Sequence, residues 1–191
     1  RVVRAGVRTE IRMLALDWEQ RPVVGQVMTV TLGQRIWQRV PVEDSLASQW
    51  VYTDTIVSSA KATTDAEGRA TTFVGPPRSG TYIVAADARD ADGHPVHAEV
   101  MLWVSGTDVV QWPVEADTIT PVADQQSYRV GDTARILAPV AFTGTYQVLL
   151  TVERNGIFKA ERRVFDTPNP VIEFPILDAY VPNVYVSLLV V

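Results

Sequence analysis

Apolar and polar residues alternate with a period of two in short runs along most of the chain, and the runs are cut by Gly, Pro, Asp and Asn at intervals near ten residues. In residues 9–18, Ile11, Met13 and Ala15 alternate with Glu10, Arg12 and Leu14 before the break at 19–22. Residues 26–32 alternate again, Gly33-Gln34 interrupts them, and residues 35–40 resume, which predicts a hairpin about Gly33. Residues 41–49 are polar, and β-type residues return in 50–52 and 54–63. Tight turns follow at 64–68, 75–80 and 90–93, with strands predicted over 69–74, 81–88 and 97–104. On the last of these, Ala98, Val100 and Leu102 share one face, while His97, Glu99, Met101 and Trp103 share the other.

The second half repeats the pattern. A turn at Val130-Gly131-Asp132 precedes a short strand, a second break spans 139–144, and Asn155-Gly156 separates two further strands. Both residues of that pair tolerate positive φ, so a type I′ hairpin is expected there. Strands are predicted over 115–123, 133–138, 146–154, 157–165, 171–176 and 184–191. No segment has helical periodicity. Many short strands with turn residues between them predict an all-β chain of two tandem immunoglobulin/fibronectin-III-like antiparallel β-sandwiches. The expected boundaries are 1–106, with a short tail at 1–8, a linker at 107–114 in which Trp112 can pin the halves, and 115–191. Gly-Thr-Tyr at 80–82 and again at 144–146 suggests two copies of one architecture, and the first triplet resembles a tyrosine corner.

Composition narrows the function. With 47% apolar and 20% charged residues the chain is globular. No apolar run approaches the roughly 20 residues of a membrane-spanning helix. Seventeen basic against 22 acidic residues give a net charge of −5, which opposes binding to a phosphate backbone and makes a nucleic-acid partner unexpected. The chain has no cysteine, so disulfides, thiolate zinc sites and cysteine nucleophiles are excluded. It starts at Arg1 and ends in apolar alternation at Val191, the expected look of a piece of a longer protein.

Candidate chemistry is sparse. Asp87, Asp90 and Asp92 offer hard oxygens for calcium, but they lack EF-hand spacing, and Asp-Gly suits a turn without any ion. His94 and His97 lack a third zinc ligand. Glu43 and Asp44 are adjacent, so on an extended strand they face opposite ways and do not converge as acid and base. Neither a Gly-x-Ser-x-Gly elbow nor a Gly-rich phosphate loop is present. The expectation is therefore no catalytic, cofactor-binding or metal site, and no enzyme. Trp37, Trp50, Tyr52, Trp103 and Trp112 are read as core or interface residues, with a sugar-stacking platform as the alternative.

The stretches ADQQSY at 123–128 and VGDTA at 130–134, Pro139 with Phe142 and Gly144, LLTVER at 149–154 and AYVPNVYVS at 179–187 occur in that order. Together they resemble the macroglobulin-type domain just before the bait-region segment of bacterial alpha-2-macroglobulins. The first half, with TTDAEG at 63–68, GTY at 80–82 and DADG at 90–93, is similar to the preceding domain of that family. The resemblance implies a broad-spectrum endopeptidase inhibitor, periplasmic or extracellular, that cages a protease after bait cleavage or tethers it through a thioester. It implies neighbouring macroglobulin domains as partners, with proteases met only through the whole protein. A thioester needs a cysteine, so this stretch would be scaffold. The alternative is an immunoglobulin-like stalk or carbohydrate-binding module of an adhesin or extracellular enzyme. A hydrolase domain lacks its catalytic constellation.

Overall fold

The computed structural model describes residues 1–43, 47–106, 108, 110, 119–140, 144–167 and 169–190. The described residues form thirteen strands and one three-residue 3₁₀ turn, Asp178–Tyr180. The chain divides into two compact units, Val3–Gly106 and Thr107–Val191, the second also taking Arg1–Val2.

The first unit has seven strands: β1 (Val2–Arg4), β2 (Thr9–Leu14), β3 (Val27–Pro41), β4 (Ser48–Thr63), β5 (Arg69–Val74), β6 (Gly80–Arg89) and β7 (Pro95–Ser105). They form a five-stranded sheet in the order β1-β7-β6-β3-β4 and a two-stranded sheet, β2-β5. Every pairing given a register is antiparallel. Alternation supplies the inner face: Val30 and Leu32 on β3, Tyr82 and Val84 on β6, and Leu102 and Val104 on β7 pack in one cluster with Ile11 of β2 and Val74 of β5. The sheets therefore face each other as a two-layer sandwich, the arrangement that lets both apolar faces leave water.

One expectation fails here. Gly33 makes no hairpin turn. Val27–Pro41 is one 15-residue strand, and the register with β4 shifts between Leu32 and Gly33. A glycine inside a strand marks a bulge as readily as a turn, and here β6 pairs with Thr29 to Arg35 straight through it. The hairpin instead closes beyond Pro41. The N-terminal tail carries β1, and Ala5 N–H donates to Ser105 O at 2.9 Å.

The turn before β5 shows why its glycine is required. Gly68 sits at φ +72°, and a Cβ there would lie 2.6 Å from Ala15 O. Positive φ and backbone crowding both exclude a side chain.

The second unit has β8 (Val122–Ala123), β9 (Thr133–Leu137), β10 (Tyr146–Glu153), β11 (Ile157–Phe165), β12 (Val171–Pro175) and β13 (Tyr185–Val190). Two three-stranded sheets, β11-β10-β13 and β12-β9-β8, enclose a core of Ile136, Val148, Leu150, Val152, Ile172 and Phe174. Residues 115–118 of the strand expected at 115–123 lie outside the described residues, as do Phe142 and Trp112. The Asn155 hairpin forms with different geometry. Its loop runs over Arg154, Asn155 and Gly156, with Glu153 opposite Ile157 and a register shift beside Val152. Asn155 has φ 52° but Gly156 has φ 147°, which does not match type I′.

Because Leu150 has no solvent exposure, Leu150→Ala should lower the unfolding free energy by about 2–5 kcal/mol. Leu189, on the outer face of the same sheet and 59% exposed, should tolerate alanine within about 0.5 kcal/mol. Urea unfolding of both variants measures the difference.

Candidate functional site

Beyond Arg35, β3 leaves β6 and continues only with β4, so residues 36–41 and 48–53 form a two-stranded arm. A lone ribbon is marginal unless cross-strand side chains hold it. Here Trp37 lies opposite Tyr52, with ring centroids 5.1 Å apart in edge-to-face geometry. At the arm's base Arg35 lies opposite Asp54, and its guanidinium donates to both carboxylate oxygens at 2.8 and 2.7 Å. The same guanidinium stands 3.8 Å over the Tyr52 ring and 5.9 Å from Trp37. Its hydrogen bonds hold the Asp54 carboxyl below its ordinary range.

Core or interface packing was expected for these aromatics, and the register rules out the core for four of them. Val30, Leu32, Val84 and Leu102 face the core, so Arg35, Trp37 and Arg39 on β3, Thr81 on β6, and their partners Tyr52, Trp50 and Trp103 face the other way. The large rings cover the outside of the five-stranded sheet. Trp37 Nε1 and Thr81 Oγ1 are buried there. As a sugar platform the surface is compromised, because Arg35 already occupies one face of Tyr52.

The acidic residues separate into two groups. Asp90, Asp92 and His94 bring one ligand atom each to within 4.8 Å of one another, all exposed. The turn itself accounts for this closeness. Asp90 Oδ1 accepts the N–H groups of Asp92 at 3.0 Å and His94 at 2.8 Å, and Asp90 Oδ2 lies 3.1 Å from His94 Nδ1. Asp87 does not join them. It pairs across β6 and β7 with His97, its Oδ1 2.8 Å from Nδ1, while His97 Nε2 is 3.6 Å from Glu99. The Asp87 contact, then Glu99, raises the His97 pKa above its ordinary value. Glu43 is exposed and lies just past the end of β3; Asp44 lies outside the described residues.

In the second unit the sequence motifs turn out to be physical fasteners. Tyr128 donates its hydroxyl to Asp124 Oδ1 at 2.6 Å, and the same oxygen accepts Arg135 N–H at 3.2 Å, which pins the ADQQSY stretch to β9. Loss of water around the Tyr128 hydroxyl, then its bond to Asp124, pushes its pKa to about 12. Asp132 Oδ2 accepts Arg129 N–H at 2.7 Å, and the Asp132 carbonyl accepts Ile176 N–H at 2.8 Å. From the LLTVER hairpin, the Arg154 guanidinium donates to the carbonyls of Ala179, Val181 and Asn183. Tyr180 from that closing segment packs edge-on against Phe158, with centroids 5.7 Å apart. Two motifs far apart in sequence are thus one contact, and the three-residue loop is what presents Arg154 to it.

Tyr146, the tyrosine of the second Gly-Thr-Tyr step, is buried and donates its hydroxyl to Thr167 O, 21 residues downstream. That reach differs from a tyrosine corner, whose bond returns a few residues upstream. Tyr82, of the first step, is fully buried in its core.

What fold and contacts define is an all-β scaffold of two antiparallel sandwiches whose motif residues bond to backbone. Residues 119–191 match the alpha-2-macroglobulin bait region domain, the stretch whose motifs carried the resemblance. That match takes in 73 of the chain's 191 residues. Over its whole length the chain is similar to an alpha-2-macroglobulin homolog of Nostoc, at 22% identity across 193 residues, and it spans 10% of that relative's length. Among solved structures it is similar to Escherichia coli alpha-2-macroglobulin in its native conformation, with 19% identity and a TM-score of 0.43, covering all of this chain and 12% of that one. A Salmonella alpha-2-macroglobulin reacted with methylamine gives 14% identity and a TM-score of 0.41, covering 98% and 13%.

Folding raises the His97 pKa, so the protonated form favours the native state. That contribution is complete below the ordinary histidine value and disappears as pH rises through the folded value. Asp87→Asn should therefore move the His97 midpoint down toward the ordinary value in an NMR titration. An unchanged midpoint would show that the 2.8 Å contact does not form in solution.

Proposed function

We propose that the chain is scaffold within a bacterial alpha-2-macroglobulin that traps endopeptidases after bait cleavage. Its two sandwiches act as macroglobulin-like domains, spanning residues 1–106 and 115–191 with 107–114 between them. The observation that carries this reading is the bait-region match over 119–191, joined to the way the motif residues of that stretch are spent. Asp124, Asp132 and Arg154 each bond to backbone of their own sandwich. Residues committed in this way hold shape rather than attack a substrate.

The role is mechanical. Cores packed at crystal-like density move as bodies and pass displacement to whatever they are joined to, so cleavage elsewhere in the parent reaches neighbouring domains through units of this kind. On this reading the fragment is no enzyme, takes no metal or cofactor and binds no nucleic acid. The parent works in the periplasm or outside the cell, and proteases are its partners only as a whole. The chain has no cysteine, so any thioester belongs to other parts of the parent.

The full-length parent, incubated with a broad-specificity protease, should change conformation in native electrophoresis. The trapped protease should lose activity on large substrates while keeping it on small peptides. A parent that is cut without a mobility shift, and leaves digestion of large substrates intact, would remove this reading.

A further inference from the structure

The first unit is an unequal sandwich. Five strands at about 4.8 Å spacing make one layer and only two make the other, so part of the inner face has no roof. β5 lies beside β4, which leaves β2 as the free margin of the small layer, and among the described residues no strand pairs with β2 on its other side. A cleft of about 740 Å³ opens at that margin.

Its lining identifies it as a strand-edge groove. Ile11, Arg12, Met13, Leu14 and Ala15 all line it in succession. Consecutive residues of a strand point to opposite faces, so a space touching each of them runs along the backbone edge. The floor is the core-facing row of β6 and β7: Val84, Ala86 and Ala88 opposite Val100, Ala98 and Val96. These positions have the parity of the core, yet Val96 and Val100 are 49% and 45% exposed. Leu14, Leu16 and Trp18, the last 89% exposed, stand at the same cleft. Natural free edges are usually blunted by charge, proline or a bulge. The β2 register against β5 runs without a shift through six residues.

We propose that this groove binds an extended peptide that adds to β2 as a third strand and roofs the inner face of β6 and β7. The peptide would carry apolar side chains at alternate positions and basic residues at its flanks. Backbone pairing to β2 supplies affinity, and the apolar floor reads every second side chain. The rim supplies the charge preference. It holds three carboxylates (Asp17, Asp90 and Asp92) against two guanidiniums (Arg12 and Arg89), three minus two, an excess of one negative charge, with Asp17 also paired to Arg21 at 2.8 Å. Arg12 is further engaged by Glu10 at 2.7 Å, and Arg89 donates to Gly93 O at 2.7 Å. A strand matched to β2 is about 20 Å long, six residues at about 3.4 Å each. The inference stands apart from protease trapping, since it rests on the shape and lining of the first unit alone.

The probe is the seven-residue peptide Lys-Val-Thr-Val-Thr-Val-Lys, titrated into the 191-residue chain. Binding is followed by the fluorescence of the tryptophans and by hydrogen exchange of the β2 amides. Saturable binding is expected, with slowed exchange of residues 10–14. Replacing the flanking lysines by glutamate, or the central valine by proline, should weaken it about tenfold or more. Val96→Arg and Ala98→Arg change exposed floor positions, so they should leave the melting temperature in place while weakening binding to a similar degree. The peptide-side changes keep the test independent of how the variants fold. No saturation up to about 1 mM, equal binding of the proline peptide, or binding without β2 protection would overturn the proposal. β2 protection that rises with protein concentration alone would also overturn it, by assigning the groove to a second copy of the chain.

Discussion

The structure depends on one constraint: each sheet must bury one face, and only a second sheet can cover it. Leu32, Tyr82 and Leu102 in the first unit, and Leu150, Val152 and Ile172 in the second, are each at or within 1% of complete burial. Each belongs to a strand whose neighbouring positions are turned away from the core. Burying such a side chain contributes roughly 1.5–3 kcal/mol, far more than an exposed ion pair at about 0–1 kcal/mol. The polar contacts therefore select a conformation that apolar burial makes stable. Arg154 chooses where the closing segment lies, and Asp124 chooses where the chain enters β9.

Where the constraint is met unevenly, surface features follow. The five-stranded layer outgrows its partner on two sides. Along β3 and β4 the excess becomes a free ribbon that must hold itself through Trp37, Tyr52 and the Arg35–Asp54 fork. Beneath β7 the excess leaves inner-face valines open to water beside the β2 margin of the small layer. A strand continuing past its sheet and a sheet continuing past its roof are the same imbalance seen along two directions.

The class of fold was legible because period-two alternation reports local geometry, and most strand positions after Thr64 were readable for that reason. The turns at Asp65 to Gly68 and Asp90 to Gly93 were readable too, since their Asp side chains accept N–H groups of the turn itself. What failed was non-local. Gly33 carries the same residue type whether it ends a strand or bulges it, and only its pairing with both β4 and β6 decides. The outward set of Trp37, Trp50 and Trp103 could have been suspected from parity with Val30 and Leu32, but size suggested burial instead. Arg154 stood in a recognisable motif, but its contact was not readable, because its partners are carbonyls that no residue type announces. Trp18 and the valines of the cleft were likewise invisible, since nothing in a strand's own pattern says whether the opposite layer reaches it.

Native-state hydrogen exchange of the chain tests the central claim most directly. If burial between facing sheets holds each unit, amides of Val84 and Leu102 in the first, and of Val148 and Leu150 in the second, should exchange only with global unfolding of their unit. Amides of residues 36–40 and 49–53 should exchange through far cheaper local opening although they belong to the same continuous strands. Protection of the arm equal to that of the core strands, or core amides that open locally, would contradict it.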